Sequence, residues 1–212
     1  MTDNTTNGSV WPTIHAERRA LADDLAGLSD EQWQTQSLCT EWTVHDVLAH
    51  QLSAARMTPP KFVAKFAAAG FNFDKYVAKE VARDGAGGPA ATLAAFRAAS
   101  DRTTAPPGPK TTWLGESIVH SEDIRRPLGI AHTYPMSAIT RTIEFYAGSN
   151  AIIGGRKRVA GLTLTATDTD FSIGSGPQVS GPALALLLAA TGRKSALDEL
   201  TGPGVDELRR RP

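Results

Sequence analysis

From Trp11 onward, apolar positions recur at three- and four-residue spacing. Ile14, Leu21, Leu25 and Leu28 mark one face of an amphipathic helix, and Pro12 suits its first turn. Ser29 with Gln32 three residues on has the form of a capping box. Thr43 opens a further helix the same way, with Asp46 at its third position, and that helix runs to about Met57 before Pro59-Pro60 breaks it. Two shorter helices are predicted over 60–69 and 72–84, separated by Gly70, and an alanine-rich one over 90–103. The run Ala105-Pro106-Pro107-Gly108-Pro109 is the strongest break. Helices over 113–126, stopped by Pro127, and over 137–153 follow.

After Gly154-Gly155 the period changes to two. Residues 158–166 alternate as a strand, Thr167-Asp168-Thr169-Asp170 forms a turn, and 171–173 supply a second short strand, so a hairpin is expected. Gly181-Pro182 starts a leucine-rich helix that ends at Thr191-Gly192, and a last short helix lies near 205–210. The expected architecture is mainly α: a disordered polar start over 1–10, a helical bundle over 11–155 and a small C-terminal α/β domain over 156–212, of a size that is marginal alone.

Composition narrows the function by exclusion. The 212 residues carry 22 Lys plus Arg against 22 Asp plus Glu, and the resulting zero formal charge removes any general attraction to nucleic acid or an anionic membrane. A single cysteine, Cys39, makes neither an internal disulfide nor a cysteine-rich zinc site. The polar N-terminus lacks the basic start and apolar run of a signal peptide, and no stretch is long and apolar enough to span a bilayer. A cytoplasmic globular protein is the expectation.

The chemistry concentrates in the segment from Trp113 to Pro127. At 100° per residue, Trp113, Ser117, His120 and Ile124 share one stripe, with Glu116 on its edge one turn before His120. Glu-x-x-x-His brings an oxygen and a nitrogen close enough to hold one ion, although the same spacing also serves as a surface salt bridge. On the Thr43 helix, His50 sits at the flank of the Val44, Val47, Leu48, Leu52 stripe, either as a histidine bonded between helices or as a third ligand. His50, Glu116 and His120 together form a two-His, one-carboxylate set that leaves coordination positions open for zinc, iron or nickel chemistry. His45 is nearer the helix start and expected to be solvated, and His15 and His132 lack clustered partners.

Two motifs carry a resemblance. The run Cys39-Thr-Glu-Trp42-Thr43-Val44-His45-Asp46-Val47-Leu48-Ala49-His50 and the run from Glu116 to Gly129, taken together, resemble the mycothiol-dependent maleylpyruvate isomerase family, within the wider DinB-like group of metal-binding four-helix bundles. The resemblance places metal-binding residues on His50, Glu116 and His120. It implies a divalent metal, zinc foremost with Ni2+ or Fe2+ as alternatives, and mycothiol as cosubstrate. Residues 181–193 resemble the helix of the family's smaller C-terminal domain. DinB-like bundles often pair, so a homodimer is also implied.

Other positions have two readings. Arg125, Arg126 and Arg193, with Asp123, either hold a carboxylate or the polar head of a thiol or, for the arginines, offset helix dipoles at C-termini. Trp113 is either core or lines the cavity beside the metal; Trp33 and Trp42 are expected in the core, and Cys39 as a small buried residue. Gly154-Gly155-Arg156-Lys157-Arg158 reads as a basic linker. The functional expectation is an enzyme in which a metal favours the thiolate of an exogenous small thiol, which adds to a small electrophile, giving isomerisation or an S-conjugate. The alternative is a non-catalytic metal- or ligand-binding module on the same bundle.

Overall fold

The computed structural model describes residues 9–150 and 154–211. The chain forms two compact units, Met1–Ser117 and Ile118–Pro212.

The first unit is helical. It contains α1 (Trp11–Asp24), the single turn α2 (Asp30–Trp33), α3 (Val44–Arg56), α4 (Pro59–Ala68), α5 (Phe73–Gly85), α6 (Gly88–Ala99) and the first half of α7 (Lys110–Arg125). Local chemistry sets the starts. Gln32 N–H donates to Ser29 Oγ while Ser29 N–H donates back to Gln32 Oε1, and Thr43 and Asp46 make the same reciprocal pair at the head of α3. The packed face of α3 is fully buried at Val44, Val47, Leu48 and Leu52, against α5 and α6. A smaller cluster of Met57, Ala69 and Tyr76 with Phe62, Phe66 and Val77 joins α4 to α5. Val10, within the stretch expected to be disordered, is buried at the cap of α1; residues 1–8 of that stretch lie outside the described residues.

The second unit contains the remainder of α7, α8 (Met136–Gly148), α9 (Gly155–Val159), β1 (Thr163–Ala166), β2 (Ser172–Gly174), β3 (Gln178–Gly181), α10 (Ala183–Ala190), a 3-10 turn (Lys194–Glu199) and α11 (Val205–Arg210). The end of the expected 137–153 helix, at 151–153, lies outside the described residues. The sheet order is β2-β1-β3. Leu164 pairs antiparallel with Ile173, as the expected hairpin requires, and parallel with Val179. Of the expected strand over 158–166 only 163–166 pair: Arg158 and Val159 belong to the end of α9, and Gly161 at φ +70° turns the chain. α10 is apolar all round and buried at Ala183 and 185–190, packing on α8, the 3-10 turn, β1 and β3, so it is the core of this unit. Asp168 Oδ1 accepts from Ala183 N–H at its start, 2.9 Å.

Among the described residues no helix is long and apolar enough to cross a membrane.

Candidate metal centre

In the first unit, the capping box fixes the start of α3 and so the direction of His50, two turns in. His50 Nε2 lies 3.2 Å from Glu116 Oε2 on α7, with both side chains about one-fifth exposed. Trp42, the residue just before the capping threonine, lays its ring 5.0 Å from that of His50 at 38°. The Trp-x-x-x-Asp-x-x-x-His spacing therefore has a local cause: Asp46 caps the helix, and Trp42 backs the histidine ring. Trp42, expected in the core, is half-buried against His50.

Two donors bound to one tetrahedral ion at roughly 2.0–2.1 Å each sit roughly 3.3 Å apart. The 3.2 Å between His50 Nε2 and Glu116 Oε2 matches that edge, and imidazole with carboxylate suits zinc, iron or nickel. The donors fit a shared cation. Trp113 and Glu116 line a small cavity with Arg18, Gln51 and Ser117. Gln51 is buried, and its Nε2 has no hydrogen-bond partner among the described residues.

His120 follows Glu116 by one turn on α7. Within the second unit its Nδ1 lies 2.8 Å from Asp123 Oδ2, which leaves Nε2 as the ring atom for a ligand bond. A carboxylate behind a histidine is the arrangement that fixes tautomer and ring direction at metal sites. Asp123 is wholly buried and is held from the other side by Arg193, whose Nε donates to Oδ1 at 2.9 Å and Nη2 to Oδ2 at 2.6 Å. Burial pushes the Asp123 carboxyl up, but the bonds and charges of Arg193 and His120 outweigh it and hold the group below the ordinary carboxylate range.

Arg193 arrives there because of how α10 ends. Gly192 at φ +92° reverses the chain, its N–H donates to Ala189 O, and Arg193 N–H donates to Leu188 O. The helix end thus delivers a guanidinium to Asp123, a link across 70 residues that no period in the sequence reveals.

The other candidates are placed elsewhere. Arg125 is fully buried, donating from Nη1 to Tyr134 Oη at 2.7 Å with its guanidinium 5.5 Å from that ring. Tyr134 passes the contact on by donating to Glu122 Oε1 at 2.9 Å. Arg126 pairs with Glu122 at 2.9 Å and with Glu199. His45, expected to be solvated, is half-buried: its Nε2 lies 3.0 Å from Thr92 Oγ1, and burial lowers its pKa more than Asp46 raises it. Cys39, expected in the core, is half-buried.

The architecture is mainly helical with one small three-stranded sheet. The profile of the mycothiol maleylpyruvate isomerase N-terminal domain family matches residues 14–125, more than half of the sequence, and the chain belongs to that family. Two solved structures share its fold. Crystal structures of the mycothiol-dependent maleylpyruvate isomerase and of a histidine-to-alanine mutant each superpose with a TM-score of 0.61, at 18% identity, over 91% of this chain and 91% of the other. Among curated proteins no sequence matches this one.

Proposed function

We propose that His50, Glu116 and His120 hold one divalent cation, zinc foremost with Ni2+ or Fe2+ as alternatives, and that the protein is a thiol-dependent enzyme acting on a small electrophile. The observation that carries the reading is the 3.2 Å approach of His50 Nε2 to Glu116 Oε2, one helical turn from a histidine already braced by a buried carboxylate. A cation held there favours thiolate over thiol at neutral pH, which supplies a nucleophile without a protein cysteine.

The chain's own residues do the rest. Asp123 accepts the Nδ1 proton of His120 and so keeps Nε2 a lone-pair donor. Arg193 keeps Asp123 ionised, so that this role persists through the neutral range. Trp42 restricts rotation of the His50 ring. Trp113, on the cavity wall beside Glu116, offers an apolar face to a bound molecule. Addition of the thiolate to an activated double bond, rotation and expulsion give cis–trans isomerisation, whereas protonation of the adduct gives an S-conjugate. Mycothiol is the thiol, by the family to which the chain belongs.

The test is turnover of an electrophile such as maleylpyruvate with and without mycothiol, on metal-loaded protein. Activity that requires both the thiol and the metal supports the reading. A protein stabilised by metal that turns over no thiol–electrophile pair is instead the metal-binding module. We further propose a cytoplasmic location, a homodimer, and substrate or thiol contacts by Asp123, Arg125, Arg126 and Arg193. Of these four, Arg126 is the most open to a ligand, because the others are buried or nearly so in protein contacts.

A further inference from the structure

A second cavity, of about 320 Å³, lies where the end of α3, the start of α4 and the end of α5 meet within the first unit. None of the three proposed metal ligands lines it. Four cations do: Arg56, Lys61, Lys65 and Arg83, over a floor that includes buried Met57. Only two carboxylates answer them. Glu80 takes Lys65 Nζ at 2.8 Å on both oxygens and Arg83 Nη1 at 2.7 Å, while Asp84 takes Arg83 Nη2 at 2.8 Å and has Arg56 Nη1 at 3.8 Å. Lys61 has no carboxylate partner among the described residues.

Four cations against two acids leave an excess of two positive charges, and the exposures show where it faces. The side chains of Glu80 and Asp84 are 8% and 7% exposed, whereas those of Arg56, Lys65 and Arg83 are 41%, 34% and 43% exposed. The acids sit behind the cations, fix their heads from within, and leave their outer donors open. α4 adds to the same field, because it begins at this wall without a side-chain cap, and its Pro59-Pro60 start makes Lys61 the first residue with an N–H. Preorganised guanidinium and ammonium donors around a half-open cavity are the chemistry of oxyanion recognition.

We propose that this cavity is a binding site for a compact oxyanion bearing two negative charges, a phosphate monoester or a dicarboxylate, separate from the thiol chemistry. The probes are inorganic phosphate and succinate, titrated calorimetrically into the metal-loaded full chain at an ionic strength held constant with sodium chloride. The expected result is saturable one-to-one binding of at least one probe, weakened about fivefold in Lys61→Gln and again in Arg56→Gln, two partly exposed cations whose loss leaves Glu80 paired. Metal content, measured on the same samples, stays unchanged in both variants, so a failure here is distinguishable from a failure of the metal site. Phosphate binding alone identifies a phosphoryl ligand, and succinate binding alone a dicarboxylate. A response that chloride reproduces at equal ionic strength, or an affinity unchanged in both variants, overturns the proposal.

Discussion

His120 Nδ1 and Asp123 Oδ2 stand 2.8 Å apart on one turn of α7, and Arg193 closes on the same carboxylate from the end of α10. The imidazole is thereby fixed before any ligand arrives. Asp123→Asn keeps the shape but loses the charge, and it weakens both the hold on the ring and the bond to Arg193. Metal affinity is expected to fall about 10- to 100-fold, read by competition against a chelator of known strength. An unchanged affinity would mean that the carboxylate serves packing alone.

Tyr134 joins buried Arg125 to buried Glu122 through one hydroxyl. Tyr134→Phe leaves the ring and removes that bridge, so two buried polar groups each lose a partner. A loss of about 1–3 kcal/mol in unfolding free energy is expected from urea titration, with the metal content of the folded protein retained. A change within a few tenths of a kcal/mol would place the Arg125 charge in other hands.

Much of this was legible because its causes are local. The Ser29/Gln32 and Thr43/Asp46 boxes, the Pro127 stop and the short helix at 205–210 follow from residues within one turn of each other. The Glu116–His120 spacing was readable for the same reason. The strand expected over 158–166 failed because Val159-Ala160-Gly161-Leu162 satisfies a two-residue alternation while small residues and a positive-φ glycine also permit a helix end and a turn. β3 was missed because four residues between Pro177 and Pro182 carry little pattern, and its parallel pairing with β1 is non-local. In sequence Arg125 reads more readily as a cation at a helix end than as a ligand contact, since Tyr134, which occupies it, lies past the helix. Arg193 was suspected, but its partner Asp123 could be found only from the folded chain.

Tyr76 gives a pH dependence with a definite sign. Burial, and then the charges of Glu80 and Asp84, raise its phenol to about 12, against roughly 10 in an unfolded chain. The folded state holds this proton more tightly, so the stability it contributes is complete below about pH 10 and is lost as pH rises through about 12. Tyr76→Phe, which keeps the edge-on contacts to Phe62 and Phe66, is expected to flatten the decline in urea midpoint over that window. Parallel declines in the two proteins would assign the alkaline loss to other groups.

Trp42 backs His50 at 5.0 Å without being a ligand. Trp42→Ala frees the ring and is expected to weaken metal binding while leaving a stoichiometry of one, a split that separates a positioning role from ligation. Complete loss of metal in a folded Trp42→Ala protein would show that the ring does more than position.

The central claim is that His50, Glu116 and His120 hold one cation. Elemental analysis of the purified protein beside His50→Ala and His120→Ala, each checked for native helical content, tests it most directly. One equivalent of a divalent metal in the parent chain and none above background in either folded variant is the predicted result. Full metal content in either variant would contradict it.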